Sequence, residues 1–173
     1  DTDPMGYWES PALKARLARH YLDTYGVKVE PEQFVLMCGA SPALTLALSS
    51  TFSAGDRIAV ARPGYVAYRN TLRALHLTPV EISCGPESRF QLTAAALAAL
   101  DPAPQGVIVA SPANPTGTII KAAELAAIAE VCRERDIKIV SDEIYHGLSY
   151  VGPAHSMLEF APKAVVVNSF SKY

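Results

Sequence analysis

The chain has 173 residues, 50% of them apolar and 18% charged, enough to bury a core and unlike a disordered or low-complexity protein. Its 15 Lys and Arg are scattered among 17 Asp and Glu for a formal net charge of -2, which offers no basic stripe to nucleic acid or to an anionic membrane and leaves a small molecule as the expected partner. Cys38, Cys84 and Cys132 lack ligand or redox spacing, and no apolar run approaches the ~20 residues that span a bilayer, so a cytoplasmic protein with no metal site is expected.

Taken in chain order, Leu13, Leu17 and Tyr21 recur every four residues and predict an amphipathic helix over Pro11–Tyr25, stopped by Gly26. Short β-rich runs then alternate with helical ones: strand Phe34–Cys38, helix Pro42–Phe52, strand Arg57–Ala61, helix Tyr65–Leu75 and strand Thr78–Ile82. A short helix at Ala94–Leu100, strand Gly106–Ala110, helix Ala122–Arg135 and strands Lys138–Ser141 and Ala164–Val167 follow. This alternation predicts a three-layer α/β/α sandwich around a mostly parallel sheet. The unbroken apolar runs Val107–Ala110 and Ala164–Val167 suit strands covered on both faces. Asp1-Thr2-Asp3-Pro4 carries no targeting pattern, and the chain, with no initiator Met and an end just past an apolar run, is expected to be a piece of a longer protein.

In open α/β sheets ligands bind beyond the carboxyl ends of the strands, and polar groups gather there. Gly39-Ala40-Ser41-Pro42 reads as a helix start with Ser41 as cap and Pro42 at the first helical position, which is either ordinary capping or a site for a phosphate. Asn114-Pro115-Thr116-Gly117 is either a simple turn or a means of fixing the Asn114 amide at the sheet edge. Asp142, at the end of a strand, either caps the following turn or pairs with a protonated pyridine nitrogen, with Tyr145 three residues on. Lys172, in Ser169-Phe170-Ser171-Lys172, is an ordinary surface lysine when taken singly and a nucleophile if the strand end buries it.

Together these segments resemble the class I and II aminotransferases of pyridoxal-phosphate (PLP) fold type I, across nearly the whole chain. The resemblance implies that residues 1–173 form part of the large cofactor-binding domain of a homodimer. It implies pyridoxal 5'-phosphate as cofactor, with Ala40, Ser41 and Ser169 at its phosphate, Tyr65 stacked on the ring and Asn114 and Tyr145 at the phenolic oxygen. It further implies Asp142 at the ring nitrogen and Lys172 as the Schiff-base lysine and general base, with Lys172, Asp142 and Tyr145 the catalytic set. Tyr7 matches a tyrosine that reaches the partner subunit's phosphate. The reaction implied moves an amino group between an amino acid and a 2-oxo acid. C–S lyases share every one of these motifs, and a PLP-sensing domain of a transcription regulator is a more distant alternative. An α/β core with no cofactor is the third. His146, beside Tyr145, is the histidine singled out for a supporting role.

Overall fold

The computed structural model describes residues 9–172, so Tyr7 lies outside the described residues. The chain divides into two compact units, 1–38 and 39–173. In the first, helix α1 spans Pro11–Tyr25. Ser10 accepts a hydrogen bond from the Leu13 amide at 3.2 Å with Pro11 at the first position, and Gly26 closes the helix in the left-handed conformation (φ 69°). Tyr21 is buried, its ring 5.7 Å from that of Phe34. The strand expected at Phe34–Cys38 is not formed. The segment leaves a 3-10 turn at Pro31–Gln33 in extended geometry, but the Leu36 amide donates to Glu9 Oε1 at 3.3 Å. A strand needs a neighbour's carbonyls and amides, and no neighbouring strand pairs with this segment among the described residues.

In the second unit the elements run α2 (Ala40–Thr51), β1 (Arg57–Arg62), α3 (Val66–Ala74), β2 (Thr78–Ser83), α4 (Ala94–Ala98), β3 (Gly106–Ala110), α5 (Ala122–Glu134), β4 (Lys138–Asp142) and β5 (Val165–Val167). The strands form one sheet in the order β2-β1-β3-β4-β5, every pair parallel. Alternation along each strand divides the core in two. Ala59, Val107, Val109 and Ile139 pack with Leu97, Leu125, Ile128 and Cys132 of α4 and α5. Ile58, Val60, Ile108, Val140 and Val167 pack with Leu44 and Leu48 of α2 and Tyr68 and Leu72 of α3. This is the three-layer α/β/α sandwich the pattern predicts. The chain winds from β1 to β2 on one side and places β3 on the other, so the winding reverses between β1 and β3, where such sheets open a crevice at their carboxyl edge. Among the described residues no helix is long and apolar enough to cross a membrane.

Candidate cofactor site

The first component is the start of α2. Gly39, not Ser41, is the N-cap, with φ 136°, a region that side chains rarely enter and glycine does freely. Glycine therefore lets the chain turn into the helix two residues earlier than expected, so Ser41 and Pro42 occupy its second and third positions. A glycine cap has no side chain to accept the first-turn amides, which leaves those of Ala40 and Ser41 suited to an anion. Ser41 lines a cleft of about 520 Å³ together with Pro42, Thr45 and Tyr65. Tyr65, 39% exposed, caps α3 at the end of β1 and stands edge-on to Tyr68, their ring centroids 5.5 Å apart.

The second component is the carboxyl end of β4. Asp142 pairs in register with Ala110 of β3 and Val167 of β5, so it sits where three strands end. Its Oδ2 accepts the Tyr68 hydroxyl at 2.5 Å and its Oδ1 the Ile144 amide at 3.2 Å. Burial pushes the Asp142 carboxyl above its ordinary value, against the pull of those two donors. Burial, and next the Asp142 charge, hold the Tyr68 hydroxyl protonated, as a donor must be. Tyr68 also lines a narrow cleft with Gly64, Gln91 and Asn114 at the β1–β3 reversal. The Asn114 loop is braced by bonds from the Ala113 amide to the Thr118 carbonyl (3.0 Å), from Gly117 to Ala113 (2.7 Å) and from Gln91 Nε2 to Thr118 (2.6 Å). Tyr145 is half-buried in the turn after β4.

The structure thus brings Ser41 beside Tyr65, and Asp142 and Asn114 each to Tyr68. Among the described residues no hydrogen bond or ion pair joins the last motif to them. Ser169 and Lys172 follow β5, where Ser169 Oγ meets Ser171 Oγ at 3.1 Å and Lys172 is exposed. Sequence reading passed over Tyr68, the residue that joins the components. Its signal was the Tyr65-x-x-Tyr68 spacing at a helix start, which puts both phenols on neighbouring turns. The residues fit a phosphorylated pyridine: an uncapped helix start for the phosphate, an exposed ring for stacking, and a half-buried carboxylate whose ionised form gains from a cationic partner. Among the described residues no group of three or more His, Cys, Asp or Glu could hold a metal ion.

Residues 4–173 match the family model described as aminotransferase class I and II. The chain belongs to this family. Aminotransferases of this class are PLP-dependent enzymes. The chain is 51% identical to the valine–pyruvate aminotransferase of Mycobacterium tuberculosis over 94% of its own length and 42% of that protein. It is 34% identical to the aspartate aminotransferase of Geobacillus stearothermophilus over 94% of this chain and 43% of that one. Among solved structures, an aminotransferase from Mycobacterium tuberculosis matches with a TM-score of 0.94 and 49% identity, covering 99% of this chain and 46% of that one. The aspartate aminotransferase of Thermus thermophilus with maleate gives 0.88 and 32%, over 94% and 43%. The chain therefore spans well under half of the length of these aminotransferases.

Proposed function

We propose that the protein carrying this chain is a PLP-dependent aminotransferase that moves an amino group between an amino acid and a 2-oxo acid. The observation that supports this reading most is the Asp142 carboxylate at the end of β4, held by Tyr68 beside the Asn114 cleft. When bound, the cofactor supplies an electron sink for charge developing at the substrate's α-carbon. In this reading Asp142 keeps a proton on the ring nitrogen through its negative charge. Tyr145 and Asn114 donate to the phenolic oxygen, and Tyr65 covers one face of the ring and excludes water there. The Ala40 and Ser41 amides and the Ser169 hydroxyl grip the phosphate. Lys172 Nζ would serve as the covalent anchor and as the base for the proton on the substrate's α-carbon.

Residues 1–173 are read as part of the large cofactor-binding domain. The family resemblance supports a homodimer, and three free cysteines support a cytoplasmic setting. The 51% identity to a valine–pyruvate aminotransferase makes valine and pyruvate the first substrate pair to assay. Borohydride reduction of the PLP-loaded full-length protein, followed by peptide mapping, tests the assignment. A pyridoxyl label on Lys172 that Lys172→Ala abolishes is the expected result, and an unlabelled full-length protein would overturn it. Recovery of the aminated acceptor, not of free ammonia, is expected of a transaminase.

A further inference from the structure

On the face of the sheet opposite Tyr68, the residue after Asp142 turns into the α4–α5 side of the core. Glu143 is 1% exposed. Its Oε1 accepts three hydrogen bonds, from the Met157 amide at 2.8 Å, Ser141 Oγ at 3.0 Å and Ser156 Oγ at 3.2 Å. Its Oε2 is buried with no hydrogen-bond partner among the described residues and faces Nδ1 of His146 at 3.6 Å. His146 is 3% exposed, and its Nε2 lies 2.9 Å from the Ser111 carbonyl oxygen.

The proton positions follow from these contacts. A carbonyl only accepts, so Nε2 of His146 carries a hydrogen; in the neutral ring Nδ1 is then a lone pair. A lone pair opposite an ionised oxygen is repulsive, so either Oε2 of Glu143 is protonated or the ring is a cation. A buried ion pair holds only with close contact and every lone pair satisfied. Here the separation is 3.6 Å, and the charged oxygen would lack a hydrogen bond. The neutral pair is the arrangement the geometry favours. Burial acts the same way on both, pushing the Glu143 carboxyl up to about 7 and the His146 imidazole down to about 4. Of the other groups whose charge acts on the pair, Glu159 acts on both and His155 on His146, and these two pair with each other at 2.9 Å.

Glu143 follows Asp142, His146 follows Tyr145, and Ser111 opens the loop that carries Asn114. We propose that Glu143 and His146 are positioning residues, a neutral carboxyl–imidazole strut that ties the Asn114 loop to the Tyr145 turn and leaves Asp142 the single negative charge at the end of β4. The proposal rests on the roles given to Asn114, Tyr145 and Asp142 above.

The test uses the full-length protein with Glu143→Gln, Glu143→Leu, His146→Gln and His146→Leu. Three quantities are measured: the PLP dissociation constant, the pH at which the absorption of Lys172-bound PLP changes form, and the 15N imidazole spectrum without PLP. Glutamine supplies an acceptor and a neutral donor at either position, so both glutamine variants should stay within about threefold of the parent's PLP affinity. The leucine variants should bind PLP about tenfold more weakly and move the absorption transition by roughly one pH unit, the scale of one lost interaction with the phenolic oxygen. The 15N spectrum at pH 6 should show His146 neutral with its hydrogen on Nε2.

Leucine variants that melt earlier yet keep both PLP readouts would reduce the pair to core packing. A Glu143→Gln variant as impaired as Glu143→Leu, or a cationic His146, would show an ion pair and overturn the neutral strut. Should the leucine variants fail to fold, the glutamine variants and the 15N spectrum decide. Absence of a Lys172 adduct in the parent would sink the proposed function; the 15N spectrum judges the strut without PLP.

Discussion

Removing the Tyr68 hydroxyl takes from Asp142 the shorter of its two hydrogen bonds, the 2.5 Å contact, and leaves the 3.2 Å one from Ile144. Tyr68→Phe should therefore cost about 1.5–3 kcal/mol in denaturant unfolding, the range for a hydrogen bond to a charged group. It should also raise the Asp142 titration further, because the lost donor favours the ionised form; carboxyl 13C shifts against pH check this. A variant that matches the parent in both would remove Tyr68 from the site. Asp142 and Asn114 were readable because each stands just past an apolar strand, Asn114 followed by a proline. Tyr68 was not, since its partner lies 74 positions away and only the sheet order places α3 over the end of β4. Nor was the proton on Glu143 readable, because it depends on which oxygen its donors choose, and two of the three, Ser156 and Met157, lie 13 and 14 positions away.

At the scale of elements, the first residue of β3 shows how tightly the layers meet. A Cβ on Gly106 would fall 2.2 Å from the Phe52 ring, and Phe52 ends α2 on the α2–α3 side of the core. Gly106→Ala should destabilise the protein by about 1–3 kcal/mol through overpacking, seen as a lower melting temperature. An unchanged melting temperature would mean that Phe52 moves aside freely. Local pattern did predict most elements: α1 and β3 have the bounds expected, and the other helices and strands of the second unit differ by at most two residues at either end. The exceptions have local causes. Phe34–Cys38 has a strand's composition without a strand beside it, and the start of α2 is decided by the backbone freedom of Gly39, which outweighs the capping preference of Ser41.

For the molecule as a whole, the Glu143–His146 pair makes a statement about stability against pH. Glu143 titrates at about 7 when folded and near its ordinary 4.5 when unfolded, so its contribution is complete below 4.5 and is lost as the pH rises through 7. His146 titrates at about 4 when folded and near 6.5 when unfolded, so its contribution is present above 6.5 and is lost as the pH falls through 4. Between about 4.5 and 6.5 the folded state holds one extra proton on the carboxyl and lacks one on the imidazole, and the two slopes cancel. Relative to the parent, Glu143→Gln should make stability rise with pH across this window, and His146→Gln should make it fall. Melting temperatures of the full-length protein from pH 4 to 7.5 check the signs, and parallel curves would refute them.

The pleat that runs through β4 and on into Glu143 sends Asp142 to the α3 side of the sheet and Glu143 to the α4–α5 side, two adjacent carboxyls with opposite surroundings. Their assignment depends on counting by twos along a strand. A single-codon insertion or deletion inside β4 would therefore do more than lengthen or shorten it: it would present the wrong acid to each layer. This stretch of the gene should accept substitutions far more readily than any change of reading length, while the loop at 148–152, exposed apart from half-buried Ser149, should accept both.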